Sequence, residues 1–186
     1  MAKAPKKTAK NQTENTVENQ TENTVENTAA EKDNQTRQPR QVMVHAQYVK
    51  DLSFENPNAV SAHLEKTETP QVEIGVQVNG DKINDHQYEV RLHITAKANT
   101  SEKPLFLVDL TYAGIVSAPD ATPEEVNPLL MIEGPRLLFP FARAIVSNMT
   151  RDGGFMPLNL QPVDFVAVYR HSLEMQRKAA EDATKQ

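Results

Sequence analysis

Residues 87–98 alternate without a slip: Tyr88, Val90, Leu92, Ile94, Ala96 and Ala98 take one parity, and Glu89, Arg91, His93, Thr95 and Lys97 take the other. Successive side chains of a strand point to opposite faces, so this period demands a sheet with one apolar face and one wet face. Gln71–Val78 repeats the pattern, with Val72, Ile74, Val76 and Val78 set against Gln71, Glu73, Gly75 and Gln77. Asn79-Gly80-Asp81, between the two, reads as a hairpin turn. Leu105–Val116 predicts a further strand, more apolar throughout, after a break at Asn99–Pro104, and Val42–Glu55 predicts one ahead of them all. Four strands in series joined by short polar breaks predict an antiparallel meander.

After Val116 the period changes. Thr122-Pro123-Glu124-Glu125 has the order of an N-cap, a proline at the first helical position and first-turn acids. Pro128 and Pro135 are expected to cut that helix short. The next opens at Pro135 or Pro140, places Phe141, Ile145 and Met149 at i, i+4 and i+8, and stops at Asp152-Gly153-Gly154. Pro157–Pro162 predicts a loop. A last helix over about 163–180 carries Phe165, Val168, Tyr169, Ser172 and Met175 on one side. Strands first and helices afterwards give an α+β class, a four-stranded antiparallel sheet followed by two main helices.

Residues 1–40 differ in kind. They hold no aromatic residue, Leu or Ile, and the octet NQTENTVE stands at 11–18 and again at 19–26, followed by a degraded copy, NTAAE. Eight residues are too few for a solenoid unit, and such a composition buries too little apolar area to offset chain entropy. The expected organisation is a disordered extension over 1–40, one folded domain over 41–178 and a flexible tail over 179–186. The extension has seven basic and six acidic side chains; the remainder has thirteen and nineteen, a net of −6. That acidity argues against a binder of duplex nucleic acid. With no Cys in 186 residues, a disulfide framework, a Cys-ligated zinc, an iron–sulfur cluster and a thiol nucleophile are excluded. No apolar run nears the ~18–20 residues of a membrane span, and no apolar stretch follows MAKAPKKTAK to make a secretory leader. A cytoplasmic protein without membrane insertion is expected.

Parity then sorts the charges. Val49, Asp51, Ser53 and Glu55 fall on one side of the first strand, and Lys50, Leu52 and Phe54 on the other. In the strand after Pro104, Leu105, Leu107 and Asp109 share a side opposite Phe106, Val108, Leu110 and Tyr112. With Glu73 and Glu89 added, the wet face is studded with carboxylates, diluted by Arg91 and Lys97. A solvated face is one reading. A docking surface for a basic partner is the other, with charge for steering and Leu107 as an apolar anchor, and a Leu in the wet row favours it. The apolar segment Leu137–Ile145, LLFPFARAI, is interrupted only by Arg143 and predicts a helix buried on both sides. A domain of this size covers one side, so a homo-oligomer with closed symmetry is expected. Val108, Leu110 and Tyr112 are assigned to the core or a subunit interface.

Chemistry is not written here. Phosphate loops, Gly-x-Ser-x-Gly and His-Glu-x-x-His are absent, and His45, His63, His86, His93 and His171 show no metal-ligand spacing. His45 and His93 fall in wet rows and read as surface residues. No enzyme activity, metal or cofactor is expected.

Five strings in order carry a resemblance: YVKDLSFENPN from Tyr48, YEVRL from Tyr88, FLVDLTYAGI from Phe106, GPRLLFPFAR from Gly134 and GFMPLNLQPV from Gly154, with Phe165 after it. Over Val42–Met175 the chain resembles the SecB family of bacterial protein-export chaperones. The resemblance implies a homotetramer built as a dimer of dimers. It implies ATP-independent binding of unfolded precursor proteins in the cytoplasm and their delivery to the translocation ATPase SecA. It also implies that the acidic outer face of the sheet docks the basic, zinc-bearing C-terminal segment of SecA through Asp51, Glu55, Leu107 and Asp109. The family often has Glu where this chain has Asp109, so the charge is kept at shorter reach. Ala179–Gln186, with Glu181 and Asp182 against Lys185, departs from the acidic tail of well-known members. A client groove is expected where the helix of Leu137–Met149 meets the apolar edge of the sheet, with Phe139, Phe141 and Phe155 as anchors. The alternative function is an oligomeric small-ligand-binding α+β domain.

Overall fold

The computed structural model describes residues 41–64, 69–101 and 103–183. The expectations for 1–40 and for 184–186 lie outside the described residues. Four strands, β1 (Met43–Glu55), β2 (Gln71–Lys82), β3 (Tyr88–Asn99) and β4 (Pro104–Ser117), form one antiparallel sheet. A short helix, α1 (Ala59–Leu64), follows β1, and α2 (Pro123–Asp152) and α3 (Phe165–Ala183) follow β4. The class is α+β as expected. The order across the sheet is β1-β4-β3-β2, so β2, β3 and β4 are the meander and β1 returns to pair with β4. The whole is a Greek key rather than a simple up-and-down series. Sequential patterns predict strands but not which distant strand closes the sheet.

The Asn79-Gly80-Asp81 turn signal is overruled. Those residues continue β2, opposite Arg91, Val90 and Glu89. The chain reverses instead at Ile83–Gln87, where the Asn84 side-chain oxygen accepts from the backbone N–H groups of His86 and Gln87. Gly80 serves packing. A Cβ there would stand 2.0 Å from the Met131 methyl of α2.

α2 is one helix of 30 residues where two were expected. Thr122 stands at its N-cap and donates its N–H to the Glu125 carboxylate at 3.1 Å, Pro123 opens it, and Gly153-Gly154 ends it, Gly154 at φ 87°. Pro128, Pro135 and Pro140 lie inside. Each removes one N–H from the helical ladder, at about 3 kcal/mol. Packing offsets that cost. Leu130, Gly134, Leu138, Ala142, Val146 and Thr150 recur every fourth residue and are all buried. Full burial of a Leu or Val stabilises by about 1.5–3 kcal/mol. Close approach is possible because Gly134 faces Val90 and Gly114 lies under Leu138.

The core fills the space between α2 and the inner face of the sheet: Val90, Leu92, Ile94, Ala96 and Ala98 from β3, and Val108, Leu110, Tyr112 and Val116 from β4. Val108, Leu110 and Tyr112, assigned to core or interface, are thus core. At the C-terminal end of α2 the buried Thr150 hydroxyl donates to the Val146 and Ser147 carbonyls at 3.1 Å and accepts from the Leu158 N–H at 2.9 Å. This ties the following loop to the helix. Asp164 caps α3 by accepting from the N–H groups of Val166 and Ala167. α3 runs on through Ala183, so helix takes up most of the segment expected as a flexible tail.

Candidate functional site

α2 covers the inner face of the sheet, and the register lays the outer-face side chains out in rows. Glu55, Leu107, Lys97 and Glu73 stand side by side across β1, β4, β3 and β2. The next row is Ser53, Asp109, Thr95 and Gly75, and the one after it is Asp51, Thr111, His93 and Gln77. Neighbouring strands are about 4.8 Å apart and successive residues on one face about 7 Å. Asp51, Glu55, Leu107 and Asp109 therefore share one patch on the β1–β4 half of the face, Glu55 directly opposite Leu107. Parity placed these four together correctly.

Parity failed one step earlier in β1. The pairing slips between Val49 and Asp51, so Lys50 is an extra residue in a bulge. The parity inverts from there back to Ala46, where a second slip restores it. Val49 pairs with the core-facing Tyr112 and belongs to the inner side, not to the wet row. Lys50 turns to the outer face, where its ammonium reaches both Glu89 oxygens at 2.6 and 2.8 Å. Tyr48 donates its hydroxyl to the same carboxylate. His45 sits at a second slip, its Nε2 2.8 Å from the Ser117 hydroxyl.

The acidity of the face is consequently divided. Asp81 and Glu89 lie directly opposite one another, a like-charge pair that Arg91 relieves by bonding to both. Glu89, counted from sequence among the free acids, is enclosed by Lys50, Tyr48 and Arg91 with 13% of its side chain exposed. The carboxylates turned outward are those of Asp51, Glu55 and Asp109 on the β1–β4 half and that of Glu73, opposite Lys97, on β2. Asp109 receives a bond from His93, whose Nε2 stands 2.7 Å from its Oδ1. A carboxylate only accepts, so that imidazole nitrogen carries the proton. Sequence alone did not connect these two, because the contact is a diagonal between rows fixed by the register.

Lys50 first, then the Tyr48 hydroxyl and Arg91, hold the Glu89 carboxyl at about 2, well below its ordinary 4.5. A lowered pKa in the folded state contributes stability above the unfolded value and loses it as pH falls through the folded one. Glu89→Gln is therefore expected to cost about 1 kcal/mol at pH 7, a modest figure because the network borders solvent. The difference should vanish as pH approaches 2. Urea midpoints of both proteins at pH 7 and 2.5 check this; an equal loss at both would assign Glu89 to packing rather than charge.

The three aromatic anchors differ in their surroundings. Phe139 is buried, edge-on to Phe165 with ring centres 5.8 Å apart, so it belongs to the α2–α3 core and not to a groove. Phe155 is half-buried against Phe106, at 5.0 Å, beside Met156, which is 90% exposed. Phe141 is 48% exposed and stacks on Tyr112 at 6.4 Å. It lies on an outward stripe of α2 with Leu137, which is 44% exposed, and with Pro140 and Ala144. Among the described residues, no group of three or more His, Asp or Glu side chains could hold a metal, and no helix is long and apolar enough to cross a membrane.

The chain is similar to known proteins. The family model of the preprotein translocase subunit SecB matches residues 31–176. A Protein-export protein SecB of Bradyrhizobium diazoefficiens is 47% identical over 143 residues, 77% of this chain and 89% of that protein. One from Rhodopseudomonas palustris is 47% identical over 136 residues, 73% and 87% of the two chains. Among solved structures, a SecB-like chaperone of Mycobacterium tuberculosis in complex with a peptide from an antitoxin aligns with a TM-score of 0.55 at 15% identity, covering 67% of this chain and 91% of that one. That likeness concerns the fold.

Proposed function

The chain belongs to the SecB family and is a protein-export chaperone, and from that premise we propose that it works as an ATP-independent holdase in the cytoplasm. It binds unfolded precursors, keeps them competent for translocation and hands them to SecA, acting as a homotetramer. The observation that carries this reading is the division of labour between surfaces. Asp51, Glu55 and Asp109 stand around Leu107 on the outer face, on the far side of the sheet from α2. Exposed apolar side chains lie elsewhere: Val72 and Ile74 on the inner side of the edge strand β2, Met156 in the α2–α3 loop, and the Leu137–Phe141 stripe of α2.

Each surface suits one partner. The basic zinc-bearing segment expected of SecA meets three outward carboxylates around an apolar anchor, which gives charge steering and a fixed register. An unfolded chain exposes apolar side chains along its length and is held by many weak contacts acting together. Phe155 and Met156 are the client contacts this reading retains in the loop after α2; Phe139 is not among them. The α2 stripe suits a second copy of the chain, since one apolar helix face covered by symmetry closes an assembly.

The test uses the full chain without nucleotide. Its mass in solution is measured by light scattering, and a denatured client is diluted into it. Suppressed client aggregation at a tetramer mass is the expected result. A monomeric mass with saturable binding of a compact molecule, and no effect on aggregation, would favour the small-ligand-binding alternative.

A further inference from the structure

We infer that His93 is a positioning residue for docking, holding the Asp109 carboxylate for an incoming basic segment and making the strength of docking depend on pH. This rests on the proposal that the acidic patch is where a basic partner binds. Asp109 stands at the centre of that patch, between Glu55–Leu107 on one side and Asp51 on the other. Its side chain is short, and 37% of it is exposed. An aspartate on an open sheet face rotates among several orientations. The bond from His93 Nε2 to Oδ1 selects one of them and leaves Oδ2 for a lysine or arginine of the partner.

The same bond carries a charge-dependent term. A neutral imidazole with its proton on Nε2 supplies the bond and leaves the carboxylate charge intact. A protonated one supplies the same bond and cancels that charge. Imidazoles change charge between about pH 5 and 8, a range in which carboxylates, lysines and arginines do not. The groups that face His93 are few. From β4 there is Asp109, with neutral Thr111 directly opposite; from β2 there is neutral Gln77 opposite. On β3 itself Arg91 stands two residues before it, already engaged by Asp81 and Glu89, and Lys97 four residues after it. From β1, beyond Thr111, there is Asp51. Protonating His93 thus removes one of three outward negative charges from the patch, with no other group placed to restore it.

The experiment measures binding of a synthetic peptide of Lys, Arg and Leu, lacking His and Cys, to the full chain by fluorescence anisotropy at pH 8 and pH 6 at fixed ionic strength. The wild type should bind about two- to fivefold more weakly at pH 6, the range of a single solvent-bordering charge pair. His93→Gln keeps a donor of similar reach and cannot be charged; it should match the wild type at pH 8 and show no loss at pH 6. His93→Phe removes the donor and should bind about two- to fivefold more weakly at both values. A wild-type pH response that persists in His93→Gln, or wild-type affinity in His93→Phe at pH 8, would overturn the inference. Asp51→Lys separates the two levels. If it leaves peptide binding unchanged, the patch is not the docking site at all; if it abolishes binding while the His93 variants behave as wild type, only the role of His93 fails.

Discussion

Asp51→Lys or Asp109→Lys is expected to weaken SecA binding about ten- to a hundredfold and to leave binding of an unfolded chain unchanged. The size follows from where the charges stand. Both carboxylates stand on the β1–β4 half of a face on which Asp81 and Glu89 are engaged by Arg91 and Lys50 and Glu73 lies opposite Lys97 on β2. Reversing one of the three outward charges of that half therefore changes the local potential far more than reversing one of an evenly acidic surface. A lysine at 109 would also face His93 and place two donors where a basic partner must land. Neither substitution touches the core, since Asp51 and Asp109 share the outer face with Thr111 and Ser53.

Salt supplies the second arm. Exposed charges are screened beyond about 8 Å at physiological ionic strength, so wild-type docking should weaken steeply as salt rises, and the Lys variants less so. Titration calorimetry with SecA across a salt series, beside an aggregation assay with a denatured client, reads both quantities. Equal loss of both activities in the variants would show that the two surfaces are one. A flat salt dependence would make Leu107, flanked by Glu55 and Lys97, the dominant contact in place of the charges.

How far the sequence reveals this arrangement depends on how local each determinant is. The sides of β3 and β4 follow from parity alone, so Leu107 and Asp109 are placed correctly without knowledge of any partner strand. Asp51 and Glu55 are placed correctly because they lie after the bulge; Val49 is misplaced because it lies before it. A bulge inverts the residues before it, here back to the second slip at His45, and leaves no mark in the pattern. The unity of α2 is hidden for a different reason. Proline signals a break through its own missing N–H, whereas the row from Leu130 to Thr150 that holds the helix together has meaning only against a sheet. Gly80 likewise reads as a turn until Met131 is seen above it. The contacts that set the charge of the patch, Lys50 with Glu89 and His93 with Asp109, join residues 39 and 16 positions apart, and only the register brings them together.

The aromatic residues of α2 yield the second large effect. Phe141→Asp is expected to halve the mass of the proposed tetramer, from four chains to two. Leu137, Pro140, Phe141 and Ala144 follow the i, i+3, i+4, i+7 spacing of one helix face, an exposed flank beside the buried row of Leu138 and Ala142, with Phe141 stacked on Tyr112 at its margin. Burying a Phe contributes about 1.5–3 kcal/mol, and a symmetric interface counts the substitution once for every copy that meets there. An aspartate loses that term and brings an unpaired carboxylate into an apolar contact. Phe139, two residues earlier, is the internal contrast. Its ring is buried against Phe165, so Phe139→Ala should cost about 3–5 kcal/mol of folding stability in a urea melt. Phe141→Asp should lower the stability of the dissociated protein only by the loss of its stack on Tyr112, about 1 kcal/mol, against the wild type measured at the same low concentration. Light scattering and an aggregation assay on Phe141→Asp decide its role. A halved mass assigns the stripe to a second copy of the chain, whereas an unchanged tetramer that no longer protects its client would assign Phe141 to the client surface.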